Sequence, residues 1–166
     1  DLGVVNVREP FTRLLAQGMV LKDGEVMSKS KGNVVDPGLI MERFGADTAR
    51  TFMLSVALPE KELEWSDQGA EAIYRFLNRI YDFVEENREK ISMKEIRHGS
   101  LNSTDRLMVS KVHRTILKVT EDMNFFKFNF GIQASMELYN AMKGYADGKP
   151  EVLGLMCKTL VQLMAP

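Results

Sequence analysis

Apolar positions along this chain change their rhythm near residue 66. Before it they come as short runs broken by Gly and Pro, and beyond it they recur every three or four residues over long stretches. Short runs bounded by turn formers predict small strands and brief helices, whereas the longer rhythm predicts amphipathic helices that bury one face. In the first part, an apolar run at 18–21, then Asp23 and Gly24, then a run at 25–27, predict two short strands joined as a hairpin. Asp36 before Pro37 predicts a helix with a capping carboxylate at its start, ending near Gly45. Asp47 opens a second helix, to about Ala57, before Pro59 stops it.

Beyond residue 66 the pattern predicts further helices in succession. The first, from near Asp67, turns Ile73, Phe76, Leu77, Ile80, Tyr81 and Val84 inward. A loop over 91–104 closes on Asn102, Ser103 and Thr104, capping residues for a helix over about 105–123. That helix places Leu107, Met108, Val112, Ile116, Val119 and Met123 on its buried side. An aromatic turn at 124–129 leads to a helix with Phe130, Ala134, Leu138, Ala141, Met142 and Tyr145 inward, and Gly144 to Pro150 end it. A final helix buries Val152, Leu153, Met156, Leu160, Val161 and Met164. Phe125, Phe126, Phe128 and Phe130 lack the strand alternation of nucleic-acid stacking platforms and are read as bundle core. The expected fold is mostly α: a small α/β region with a short β-hairpin over 1–66, followed by an antiparallel helix bundle over 67–166.

Composition narrows the class. With 166 residues, 45% apolar and 27% charged, the chain is long enough to bury a core and is neither disordered nor a disulfide-dependent miniprotein. No stretch approaches the roughly 20 apolar residues that span a bilayer. The lone cysteine, Cys157, excludes an internal disulfide and a cysteine-based zinc site, which points to a reducing, cytoplasmic setting and a small core residue. Net charge is −1, so any nucleic-acid contact depends on local clusters of Lys and Arg. His98 in a loop and His113 in a helix are isolated and read as surface or boundary residues, and the 11 methionines read mostly as core filler. A start at Asp1 with neither Met nor a signal segment, and an end at Pro166 just after an apolar stretch, suggest an excerpt from a longer protein.

The segment richest in chemistry is Met27, Ser28, Lys29, Ser30, Lys31, Gly32 and Asn33, between the hairpin and the capped helix. Two ammonium groups, two hydroxyls and a glycine that permits positive φ suit a loop that gathers donors around a polyphosphate. A solvated basic turn has the same composition, so residue types alone leave both readings open. It is not a P-loop, because no Gly-x-x-x-x-Gly-Lys-Ser/Thr pattern occurs.

In its residues the segment resembles the Lys-Met-Ser-Lys-Ser loop of class I aminoacyl-tRNA synthetases. Glu9 to Phe11, Gln17 to Val20, Val35 to Pro37, Gly45 to Arg50, and Leu63 to Asp67 leading into Arg75 to Arg79 are similar in order and spacing to the bacterial leucyl-type family. The resemblance is dense over 8–84 and rests chiefly on helix pattern thereafter. It implies that Met27 to Asn33 hold the phosphates of ATP, with Lys29 as the catalytic cation, Ser28 and Ser30 as loop-orienting or phosphate donors, Gly32 as the flexible point and Asn33 ending the turn. It further implies ATP as substrate with Mg2+ in the full enzyme, tRNA(Leu) as partner, and leucine bound only by a catalytic core. Val26 stands where the family usually has lysine, which shifts charge onto Lys29, Lys31 and Lys22. The His-Ile-Gly-His-type motif and the editing insertion of such enzymes do not occur in these residues, so the chain alone is expected not to aminoacylate or to bind ATP stably.

Arg75 and Arg79, four apart, share one helix face off the core stripe. They suit either adjacent RNA phosphates or ion pairs with Glu71 and Asp82, and the resemblance favours tRNA. Lys111, Arg114 and Lys118 form a second basic stripe that is a further tRNA candidate. Trp65 is expected to seal the junction of the two regions, and Asp47 with Arg50 to fix the helix beneath the loop. The resulting reading is part of a leucyl-type ligase; a stand-alone tRNA-binding or scaffold module, or one chain of a split synthetase, is the alternative.

Overall fold

The hairpin forms where its turn residues place it. In the computed structural model, which describes residues 3, 4, 6, 7, 9 and 11–165 and their side chains except that of residue 98, strand β1 (Val20–Lys22) runs antiparallel to β2 (Glu25–Val26). Asp23 and Gly24 join them with φ of 55° and 75°, the paired left-handed conformation that a two-residue hairpin requires. The expectations for Asp1, Pro10, Pro166 and the His98 side chain lie outside the described residues. A third strand, β3 (Leu63–Glu64), pairs parallel to β1, and the sheet order is β2-β1-β3. Two residues carry too little alternation to be read as a strand from sequence. Gly18 lets this pairing close: its N–H donates to the Pro59 carbonyl at 2.7 Å, and a β-carbon there would lie 2.0 Å from the Lys61 carbonyl oxygen.

Helix α1 (Pro37–Phe44) starts as expected, with the Asp36 carboxylate accepting the Gly38 N–H at 2.8 Å. Gly45, at φ 83°, ends α1 and leads directly into α2 (Ala46–Val56), so Asp47 sits in the first turn rather than at the cap. The long helix α3 (Asp67–Glu86) begins where the Ser66 hydroxyl accepts the Gly69 N–H at 3.1 Å. Helix α4 (Ser103–Asn124) opens on a reciprocal capping box between Asn102 and Asp105; α5 (Phe128–Lys143) and α6 (Pro150–Met164) follow. The fold is mostly α with a small sheet. Among the described residues no helix is long and apolar enough to cross a membrane.

Two hydrophobic clusters meet along α3. Ala70 and Ile73 join Ile40, Phe44, Phe52 and Leu63, while Phe76, Ile80 and Phe83 join the larger cluster built on α4, α5 and α6. Leu77 and Met136 pack against both. Met142, Leu138, Leu153, Met156 and Leu160 are fully buried in the larger one. Cys157 lies among them as a core residue, its thiol pushed up to about 11 by burial.

Several inward assignments change. Tyr81 is 70% exposed and Phe83 takes its place, because the buried line on α3 runs Ile73, Phe76, Ile80, Phe83, and Tyr81 lies a further 100° round the helix. On α4, Leu107 and Ile116 face outward; the buried line is Asp105, Val109, Val112, Thr115, Val119 and Asp122. Three of those six are polar, which hides the line from a hydrophobic pattern. Val161 is exposed on α6. The aromatic group is not bundle core: Phe125 is 70% and Phe130 41% exposed, with Phe126 and Phe128 only partly covered. The chain reverses there through Phe126 at φ 57°, and the Phe126 and Phe128 rings pack edge to face on each other, centroids 5.9 Å apart, while Phe125 and Phe130 stay in solvent.

Candidate functional site

The cationic loop is a closed, internally tied turn. Ser28 is extended, Lys29–Lys31 form one 3-10 turn, and Gly32 at φ 68° reverses the chain, its N–H donating to the Lys29 carbonyl at 3.3 Å. The φ at Gly32 is one that a β-carbon disfavours. Asn33 ties the two ends together: its side-chain oxygen accepts the Ser28 N–H at 2.8 Å and its amide donates to the Val26 carbonyl at 3.3 Å. The Ser28 and Ser30 hydroxyls are 2.8 Å apart and bonded to each other. Sequence composition suggests both hydroxyls as free donors, but in this arrangement one proton is already committed between them.

The two lysines differ. Lys31 pairs with Glu25 at 2.9 Å, whereas Lys29 is exposed and forms no ion pair among the described residues. Val26 lies on β2 with 37% of its surface exposed, so a longer side chain there extends into solvent without displacing the core. Beneath the loop is an apolar cavity of about 570 Å³ lined by Val20, Met27, Val35, Ile40, Met53 and Trp65, among others. Sequence reasoning missed this floor, although Met27 and Val35 on either side of the cationic residues are the signal for it. Trp65 stands edge-on to Phe52, centroids 5.0 Å apart, and its indole N–H donates to Asp67 at 2.9 Å.

Along α3, Arg75 pairs with Glu71 at 2.9 Å, while exposed Arg79 forms no ion pair among the described residues. On α4, Lys111, Arg114 and Lys118 line one wall of a groove of about 410 Å³, with Ala134 and Glu137 of α5 opposite. Lys118 is bridged to Asp122 at 2.8 Å and Lys111 to Glu137 at 4.0 Å. His113 is exposed on α4. The candidate residues therefore fall into a loop, a helix face and a groove.

A buried polar node closes the far end of the bundle and was not predicted. The Tyr145 hydroxyl donates to the Asp105 carboxylate and accepts the Lys149 N–H at 3.0 Å. That bond, with the Asn102 N–H, holds the Asp105 carboxyl below its usual range; burial, then the Asp105 bond, pushes the Tyr145 hydroxyl up to about 12. A depressed carboxyl stabilises the fold above its unfolded value and loses that contribution as pH falls through the folded one; a raised phenol stabilises below its unfolded value and loses it as pH climbs towards 12. Tyr145→Phe should therefore lower the urea midpoint near neutrality and flatten its fall between about pH 5 and pH 3. Parallel wild-type and variant curves in that range would refute the coupling.

Comparison with known proteins matches the loop and the helices together. Residues 4–66 match the family of class I tRNA synthetases (I, L, M and V). The leucine–tRNA ligase of Citrifermentans bemidjiense is 48% identical over the whole of this chain, which covers 21% of that protein. That of Desulfotalea psychrophila is 46% identical with the same coverage. The crystallised LeuRS of Agrobacterium radiobacter K84 (agnB2), in a ternary complex with tRNA and LeuAMS, superposes with a TM-score of 0.91 at 34% identity, over 99% of this chain and 22% of that one. The chain thus spans about a fifth of the length of the curated relatives it matches. Matched along its full length by leucine–tRNA ligases in sequence and by a LeuRS in structure, the chain is similar throughout to one segment of a leucyl-tRNA synthetase.

Proposed function

We propose that this chain supplies a leucine–tRNA ligase with its ATP-phosphate loop, within residues 1–66, and with a tRNA-binding helical region over 67–166. In that reaction the leucine carboxylate oxygen bonds to the α-phosphorus of ATP as the bond to the β-phosphate oxygen breaks, leaving leucyl-adenylate and pyrophosphate; the leucyl group then passes to the terminal adenosine of tRNA(Leu). Charge builds on the departing pyrophosphate, and a preorganised cation beside it lowers the barrier. The observation that carries this reading is Lys29, an exposed ammonium free of carboxylates among the described residues, on a turn held in shape by Asn33. Ser28 and Ser30 shape the turn and offer their remaining donor, while Met27 anchors it over the apolar floor.

Magnesium enters with ATP as part of the substrate. Glu25 beside the loop is held by Lys31, and among the described residues no three His, Cys, Asp or Glu side chains converge to hold a metal. Leucine is bound by parts of the ligase outside this segment, and the setting is cytoplasmic. ATP–pyrophosphate exchange by a full-length ligase carrying this segment tests the loop. A loss at Lys29 larger than at Lys31 supports the reading, and equal or negligible losses reject it.

Arg75 and Arg79 carry the tRNA half of the proposal. The Glu71 partner of Arg75 is no obstacle, since an exposed i,i+4 pair contributes only about 0.3–0.5 kcal/mol and yields readily to a phosphate. Replacing both arginines with Ala should weaken tRNA binding and reduce the slope of log K against log salt by roughly 1.5–2. An unaltered slope would assign the pair to the surface ion network instead.

A further inference from the structure

The aromatic turn carries a feature that the loop and the arginine face do not use. Phe130 leaves the core at the start of α5, and the ammonium of Lys118 lies 5.6 Å from its ring centroid. Phe125, at the end of α4, has the Lys127 ammonium 5.9 Å away. Cations beside exposed rings are the pairing that holds unpaired bases: the ring takes the base face, and the ammonium takes the adjoining phosphate.

Lys111, Arg114 and Lys118 continue from Phe130 along the groove, over about 10 Å of helix, roughly three nucleotides of a stacked strand. Three cations face Glu137 and Asp122, so the groove keeps a net positive charge, and Arg114 forms no ion pair among the described residues. The long bridge of Lys111 to Glu137 contributes little and exchanges easily for phosphate, whereas Lys118 stays tied to Asp122, whose carboxylate is only 11% exposed, and meets a phosphate with its remaining ammonium donors. With so modest a charge, a contact made by this groove depends on the ring as well as on Coulomb attraction.

Resting on the reading of this stripe as a tRNA contact, we propose that the α4–α5 groove takes an unpaired nucleotide of the folded RNA, its base stacked on Phe130 and its backbone along Lys111, Arg114 and Lys118. A duplex stem lying on the same stripe would use the cations alone. The ring is what separates the two.

The experiment measures tRNA(Leu) transcript binding to a full-length ligase carrying this segment, across a range of salt, for Phe130→Leu, Phe130→Trp and the Arg114→Ala/Lys118→Ala double variant. Phe130→Leu should weaken binding by roughly 5- to 150-fold with the salt slope unchanged, and Phe130→Trp should preserve it. The double variant should flatten the slope. Normal affinity in Phe130→Leu beside a flattened slope in the double variant would overturn stacking and leave the electrostatic contact standing. No effect in any variant would overturn both. A Phe130→Leu loss that comes with a lowered thermal midpoint and is shared by Phe130→Trp would place the ring under another part of the protein, and would overturn the proposal too.

Discussion

Lys29→Ala in a full-length ligase carrying this segment should slow ATP–pyrophosphate exchange by about 10²–10³, with tRNA affinity unchanged. The size follows from where the charge sits. A solvated lysine exerts little force on a distant anion, but one fixed beside a leaving pyrophosphate in a closed site replaces water that would otherwise have to reorganise. The backbone around Lys29 is fixed: the 3-10 turn, the Gly32 reversal and both Asn33 bonds set the position of its α-carbon, while its side chain forms no ion pair among the described residues. Loss of packing cannot imitate the effect, because an exposed side chain outside the core changes stability by no more than about 0.5 kcal/mol. Lys31→Ala is the matched control. It removes one exposed ion pair to Glu25, worth about 0.2–1 kcal/mol, and should reduce exchange far less. Exchange that survives in Lys29→Ala would remove this residue from the chemistry, whatever the tRNA contacts do.

What could be read in the sequence depended on whether a signal was local. The Asp23-Gly24 turn, the Asp36-Pro37 start and the Asn102 cap each state their geometry within a few residues, and each forms as expected. β3 did not show itself, because its two residues acquire meaning only through pairing with β1, some forty positions away. The α4 face was misjudged because Asp105, Thr115 and Asp122 occupy buried positions, while Leu107 and Ile116 point outward. Burial of Asp105 is made tolerable by Tyr145, forty residues on, and no periodicity announces that partner. In the loop, residue types indicated phosphate chemistry but left a solvated turn equally open. The difference between paired Lys31 and unpaired Lys29 needed the position of Glu25, and the apolar floor needed α1 and α2 folded beneath Met27.

Gly154→Ala sets two large effects against each other, and their signs differ. In the middle of α6, replacing glycine by alanine should stabilise the helix by about 1 kcal/mol on propensity alone. Here, however, the loop between α3 and α4 lies directly on that position. A β-carbon at residue 154 would be 2.0 Å from the Ser92 carbonyl oxygen and 2.8 Å from its carbon. Both atoms are backbone, so no side-chain rotation relieves the overlap. Nor is the loop free to lift away: the Ser92 N–H donates to the Pro150 carbonyl at 3.1 Å, Ile91 bonds back to Asn87 at 3.1 Å, and Leu101 is buried at the loop's far end. Overpacking of this kind costs about 1–3 kcal/mol and more where the neighbour is fixed, which exceeds the propensity gain. Gly154→Ala should therefore lower the thermal midpoint by several degrees, at roughly 2–4 °C per kcal/mol for a chain of this size. Gly99→Ala, where a β-carbon meets nothing within 4 Å, should leave it nearly unchanged. A midpoint raised by Gly154→Ala would mean that the loop does not rest on α6 at that position.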